Sequence, residues 1–530
     1  MDKKRGIINV AVSIIFRILL LISSLLVRRY LIRFIGNEAN GLDSLYTSII
    51  GVLSVAELGI GTAITFCMYR PIVDGDNDRV SALYYLFKRD YILVGAVISV
   101  AGCAVMPFLP YLAKGYTSVN VNIYFTFALM LLSVVLTYTF SAKTSLINAY
   151  KNNYVTTTIN SSAQLLQYLA QIVVLMLTKS FVWYLVCRSF AVLVQWGITE
   201  IVIQKSYKGI IKNRQKIDSV TRSDVTKRIK AMFMHKIGGV LVNTADSIII
   251  SAFVGVTMLG KYSNYSIIMT AMTGTITLFF TPLTSIIGHL FVEENAISAR
   301  KYYNFFYLFN FVVGVVFFLG YYAVIDDLII ICFGSGLNML KAVPFIITLN
   351  YFIQFMRQAT LLFRDASGTF YNDRWKPLFE GLVNIVLSIA FVFLFEYLFG
   401  ADFAVVGVIV ATIITNLTIC HVVEPYVLYK YAFHMSPKKY YLKNYTFIFV
   451  FCVLLFALNA TMVTHSNEFI EMIINGSISL AYSLVLTVIL MITNKGARQY
   501  VGSILQKLRR KRKVENIDNV DKIENFNSPD

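Results

Sequence analysis

FIGNEANGLDSLYTSI (Phe34–Ile49) lies over FVGVTMLGKYSNYSII (Phe253–Ile268) when the chain is shifted against itself by 253 − 34 = 219 residues. Gly36 then meets Gly255, Gly41 meets Gly260, and Tyr46 meets Tyr265. The same shift puts Arg17 on Lys236 and Ser24 on Asn243, and a shift of 364 − 143 = 221 puts Lys143 on Arg364 and Tyr150 on Tyr371. Each match is slight alone, but cations buried in apolar sequence that fall on one another point to a duplicated unit.

Composition says where such a unit lives. Hydrophobic residues make up 57% of the 530, and charged residues only 14%, against about 45–50% and 25% in soluble domains. A water-soluble shell cannot be built from so few charges. The formal net charge of +18 does not indicate nucleic acid, because the cations cluster between long apolar runs. Cys67, Cys103, Cys187, Cys332, Cys420 and Cys452 form no CxxC pair and read as core thiols. No metal-ligand or catalytic pattern is found, so no cofactor is expected, and Met1–Arg5 leads into apolar sequence without a small-residue cleavage site.

A helix needs about 20 apolar residues to cross the hydrocarbon layer. Fourteen such runs start near Gly6, Leu42, Tyr91, Val121, Val155, Phe181, Met232, Tyr262, Tyr303, Lys341, Leu378, Phe403, Tyr445 and Met472. With the N-terminus inside, the inner segments hold 36 Lys and Arg, the outer segments 7. That imbalance predicts a multi-pass membrane protein with both termini cytoplasmic. The expected architecture is all-α, with two pseudo-symmetric six-helix lobes at residues 1–203 and 231–431. The lobes share one orientation, as six is even. A basic cytoplasmic linker occupies 204–230, two extra helices occupy 432–494, and the tail 495–530 runs basic (KLRRKRK, Lys507–Lys513) and then acidic. Two similar bundles around a midplane site is a transporter plan.

A charge within the bilayer costs a few kcal/mol, so it should face water or a partner. Arg17, Arg188, Lys236 and Arg357 sit within spans and are the candidate cations of a substrate cavity; Arg suits forked contacts with phosphate. Polar residues at helical spacing extend these faces: Asn9, Ser13, Arg17, Ser24 and Arg28 on the first span, and Asn160, Gln164, Gln167 and Gln171 on the fifth. The seventh carries Lys236, Asn243 and Asp246, the tenth Asn350, Gln354 and Arg357, the eleventh Glu380, Asn384 and Ser388. A threonine stripe on the eighth (Thr270 to Thr284) reads more simply as packing, since Thr bonds to its own helix. Glu57 and Asp246 are open to two readings: counter-ions for a neighbouring cation, or carriers of H⁺ or Na⁺, since a carboxylate in a low-dielectric site can exchange protons near neutrality. Arg28, Arg29 and Arg33 break the inside-positive pattern and stand either as an outer cationic vestibule or as interfacial residues.

Four stretches carry a family likeness: NGLDSLYTSIIGVLSVAELGIGTAI (Asn40–Ile64), HKIGGVLVNTADSIIISAFVG (His235–Gly255) with GKYSNYSII (Gly260–Ile268), DRWKPLFEGLVNIVLSI (Asp373–Ile389) and VVEPYVLYK (Val422–Lys430). Over about residues 5–495 the chain resembles the Wzx-type polysaccharide flippases of the multidrug/oligosaccharidyl-lipid/polysaccharide (MOP) exporter superfamily. The resemblance implies a flippase carrying an undecaprenyl-diphosphate-linked oligosaccharide to the outer leaflet, ion- or potential-coupled. It implies intramembrane cations for the diphosphate, with Arg17 where such a cation falls, and glycan polymerase and glycosyltransferases as partners beside membrane lipids. The competing readings are a multidrug/cation antiporter of the toxic-compound branch, a membrane polysaccharide polymerase or ligase, and a scaffold without transport. The first suits an acid-rich cavity, the second a large outer loop, and the charged stripes speak against the third.

Overall fold

A computed structural model describes residues 2–57, 60–212, 244–280, 283–293, 296–493 and 498. The expected cation Lys236, the polar Asn243, most of the 204–230 linker and the KLRRKRK tail lie outside the described residues, as do the side chains of Asn9 and Ser13. Among the described residues the chain is helical, without strands. Lipid dictates this: an unpaired backbone N–H or C=O in hydrocarbon costs several kcal/mol, and a helix satisfies them internally.

The helices are α1 (Asp2–Phe34), α2 (Asn37–Leu53), α3 (Ile60–Val73), α4 (Asn77–Val105), α5 (Leu109–Leu112), α6 (Ile123–Tyr138), α7 (Ser141–Ala149), α8 (Asn153–Thr178), α9 (Phe181–Ser206) and α10 (Lys208–Lys212). There follow α11 (Thr244–Val254), α12 (Val256–Phe280), α13 (Leu283–Glu293), α14 (Ala296–Phe333), α15 (Ala342–Met356), α16 (Gln358–Ala366), α17 (Lys376–Phe399), α18 (Ala404–Thr415), α19 (His421–Val427), α20 (Lys438–Thr461) and α21 (Glu468–Thr493). Nine segments among the described residues are long and apolar enough to cross a membrane. Each of the fourteen expected runs falls on a helix or a pair of helices, the seventh being described only from Thr244. The protein is a multi-pass, all-α membrane protein.

Capping fixes several helix starts. Asp76 accepts the Arg79 N–H at 2.9 Å to open α4, and Asn122 accepts two N–H groups to open α6. Breaks fall in register between the repeats. Gly36 (φ 122°, ψ 165°) precedes α2 and Gly255 (φ 130°, ψ 163°) precedes α12, a backbone region essentially closed to other residues. The helices that follow start 256 − 37 = 219 residues apart.

The chain divides into two compact units. Unit 1 comprises Met1–Thr275, Ile325–Asn350 and Asp373–Cys420; unit 2 comprises Ile276–Val324, Tyr351–Asn372 and His421–Asp530. Unit 2 is built on aromatic stacking: Phe311 on Phe447, Phe352 on Phe451, and Tyr303 among Tyr307, Phe363, Tyr429 and Tyr440. Its helix α21 has a membrane pattern, burying Asn475, Ser479 and Ser483 while Ile473, Leu484 and Ile492 are exposed.

Candidate functional site

Within unit 1 the two repeat-matched segments pack on each other. Asn37 donates to the Thr257 carbonyl at 2.7 Å, and Asn40 donates to the Gly260 carbonyl at 2.9 Å and to Asn264 at 3.0 Å. Thr257 donates to Glu38 at 3.2 Å. A Cβ on Gly41 would overlap the Val256 carbonyl, and one on Gly260 would sit 2.7 Å from the Asn37 amide. The paired glycines are therefore what allows α2 and α12 to touch backbone to backbone. Lys114 ties the same place from another loop, bonding through its amide to Ser251 and through its ammonium to Phe253.

Arg28 belongs to this contact. It donates to Ser263 at 3.0 Å and to Asn264 at 3.3 Å. Arg29 donates to the Ile331 carbonyl at 2.8 Å, and Arg33 lies by the Phe34 ring. Arg188 sits 3.4 Å from Asp43, which also accepts from the Tyr184 hydroxyl at 3.5 Å. Sequence reading gave Asn37, Asn40 and Asp43 no role; their place inside the repeated segment was the signal available.

Arg17 is different. Its guanidinium lies over Gly274 of α12, where any Cβ would collide with the Nη nitrogen. No hydrogen bond or ion pair to Arg17 is found among the described residues. A guanidinium offers five donors, so this one is available to an anion. Gly274→Ala should displace it while favouring the helix, since Ala beats Gly there by about 0.5–1 kcal/mol. We expect roughly tenfold weaker binding of inorganic pyrophosphate with unchanged insertion, read by native mass spectrometry.

The fifth-span stripe runs from the exposed Asn160 and Gln164 to the buried Gln171 and is tied by hydrogen bonds. Gln164 donates to Tyr168, Gln167 to Gln171, and the buried Gln171 to the Tyr184 carbonyl. Asp246 lies in a buried oxygen-rich group of unit 1. Thr412 donates to its carboxylate at 3.1 Å and receives from the Asn384 amide at 2.9 Å. Among the described residues the buried Asn384 carbonyl and Ser388 hydroxyl have no hydrogen-bond partner. Carboxylate, amide and hydroxyl oxygens are the donor set of a hard cation. Glu57 instead ends a 3₁₀ turn and accepts the Tyr138 hydroxyl at 2.9 Å.

In unit 2, Arg357 makes a forked pair with Glu424, at 2.6 and 3.1 Å. The Glu424 side chain is only 1% exposed, and burial of this kind requires the partner. Arg357 sits in the break between α15 and α16, the position 219 residues after Tyr138 at the end of α6. Each half thus holds a carboxylate at its broken helix. Gln354 lies a turn before Arg357 on α15.

No family model matches the chain and no curated protein matches it by sequence. Solved structures do match. "Lipid II flippase MurJ, inward closed conformation" is 14% identical, with 92% of this chain and 99% of that chain covered at a TM-score of 0.59. An inward-facing multidrug resistance MATE family transporter of the MOP superfamily is 13% identical, with 82% and 98% covered at a TM-score of 0.55. Both neighbours are transporters, and at these identities the likeness is one of fold. The chain has the fold of the MOP-superfamily transporters.

Proposed function

We propose that this protein is a flippase that carries an undecaprenyl-diphosphate-linked oligosaccharide from the cytoplasmic to the outer leaflet of the bacterial inner membrane. The observation that carries this reading is the guanidinium of Arg17 within α1, which has no hydrogen bond or ion pair among the described residues and lies about 11 residues or roughly 16 Å in from Gly6 at 1.5 Å per residue. A bare cation there is expensive unless an anion visits it, and a diphosphate is such an anion. Arg188, Lys236 and Arg357 are the further candidate cations for the cargo. Glycosyltransferases supply the cargo and a polymerase consumes it. Both termini are cytoplasmic, and residues 1–203 and 231–431 are the repeated lobes, joined by 204–230 and followed by two helices.

In this orientation the α2–α12 contact lies at the outer face. Alternating access then runs as follows. With the outer contact closed, the diphosphate enters from the cytoplasmic leaflet and takes the Arg17 fork. Opening breaks the Asn37, Asn40 and Arg28 hydrogen bonds, and the cargo leaves outward. The inside-negative potential assists, at roughly 2.3 kcal/mol per charge per 100 mV. Return of the empty carrier is coupled to a cation at Asp246, with Glu57 as the other candidate.

The Asp246 assignment is open to a clean test, because Thr412 can donate equally to an amide oxygen. Asp246→Asn should insert normally and bind cargo, yet turn over at least tenfold more slowly (about 1.4 kcal/mol on the barrier) and lose its dependence on H⁺ or Na⁺ gradients in vesicles. An intact gradient dependence in Asp246→Asn moves coupling to Glu57. The rival reading, export of organic cations as in the MATE branch, draws on the same buried carboxylate. Dye efflux by the wild-type protein without movement of lipid-linked glycan would favour it.

A further inference from the structure

We propose that the bend between α19 and α20 is a binding site for the phosphate headgroup of an anionic membrane lipid. Sequence supplies the charge. From Pro425 to Asn467 there is no Asp or Glu, while Pro425–Tyr445 alone holds four lysines and six tyrosines. Topology supplies the depth. The spanning segments Ala401–Ala432 and Lys438–Thr461 are joined by only five residues, 433–437, so the bend must lie among headgroups whichever face it occupies.

Packing raises this above a loose cluster of positive charge. Arg300 is held against the Tyr429 ring, 5.8 Å from its centroid, and bonds to the Met435 sulfur at 2.9 Å. Among the described residues its buried Nε has no hydrogen-bond partner. Lys430 is clasped between the Tyr426 and Tyr431 rings at 5.2 and 5.3 Å, and donates to the Tyr426 hydroxyl. The floor beneath is rigid, because Tyr429 packs against Phe433 and Tyr440. Lys438 and Lys439 are exposed at the start of α20. An aromatic face holds a cation without adding a counter-charge, whereas a carboxylate partner leaves the pair neutral. Tyrosine hydroxyls beside them add donors at the depth where tyrosine is favoured in membranes. A phosphate monoanion or diester is the headgroup chemistry that such a set of cations and hydroxyls would hold.

The test uses the full-length protein in phosphatidylcholine nanodiscs titrated with phosphatidylglycerol, with retained lipid read by native mass spectrometry. The variant pair Lys430→Gln with Lys438→Gln is compared with Lys205→Gln with Lys208→Gln, an equal charge change at another connector. Wild type should retain phosphatidylglycerol selectively, the bend variant should lose roughly thirtyfold in apparent affinity at about fivefold per surface lysine, and the control should match wild type. Equal loss in the control, no loss in the bend variant, or no selectivity in wild type would each overturn the assignment. So would competition by glycerol 1-phosphate at the same concentration, which would make the site one for free phosphate esters. None of these outcomes depends on whether the protein flips a glycan.

Discussion

Arg17→Gln should abolish surface glycan while leaving the protein inserted and abundant. The glutamine keeps much of the side-chain length and polarity over Gly274, so packing at α12 is little changed. What disappears is the charge and the forked donor geometry. Hydrogen bonds from a charged donor are worth about 1.5–3 kcal/mol, so retention of an undecaprenyl-diphosphate lipid should weaken roughly ten- to hundredfold. Arg17→Lys restores the charge without the fork and should recover part of the activity. Lys236→Arg should be milder than either, as the charge is kept. Comparable glycan in the wild-type and Arg17→Gln strains, at matched protein levels, would leave Arg17 a packing residue.

Gly41→Ala is the second large effect. The added carbon overlaps the backbone carbonyl of Val256 and comes within 2.8 Å of its carbon. Backbone cannot step aside as a side-chain tip can, so α2 and α12 must separate. Gly260→Ala acts from the other side, against the backbone and side chain of Asn37. Both changes improve helix propensity, so lost function is not explained by a weaker helix. Export should fall at least tenfold, and a cysteine at Ser263 should become accessible to membrane-impermeant thiol reagents from outside. Gly320→Ala on α14 is the control, with nothing within 4 Å of the new carbon; it should be near neutral. Wild-type labelling and export in Gly41→Ala would mean that this contact does not open during transport.

The repeat and the fourteen runs were legible because membrane burial writes itself in composition and period. The matched glycines told more than expected. Gly41 and Gly260 align in sequence, and in the fold each clears the path for the other's helix. Helix breaks were not legible: the apolar run from Ile123 to Ala149 continues through the break before Ser141, and that from Ala342 through the break at Arg357. Hydrophobicity does not record where a helix interrupts its own hydrogen bonds. Pairing was hidden as well. Arg357 reads as an intramembrane cation, but its neutralising partner Glu424 lies 67 residues on, and no spacing rule joins them. Thr412 likewise reads as part of an apolar helix until Asp246 and Asn384 are placed beside it. Charge is visible in a sequence; what balances it is a property of the packing.

The most direct measurement reconstitutes the protein in proteoliposomes with a fluorescent undecaprenyl-diphosphate oligosaccharide in one leaflet and follows its appearance in the other under an imposed potential. Transfer should be rapid with wild type, near the protein-free background with Arg17→Gln, and faster when the compartment the cargo leaves is negative. Transfer no faster than in protein-free vesicles, or equal transfer by Arg17→Gln, would contradict the account.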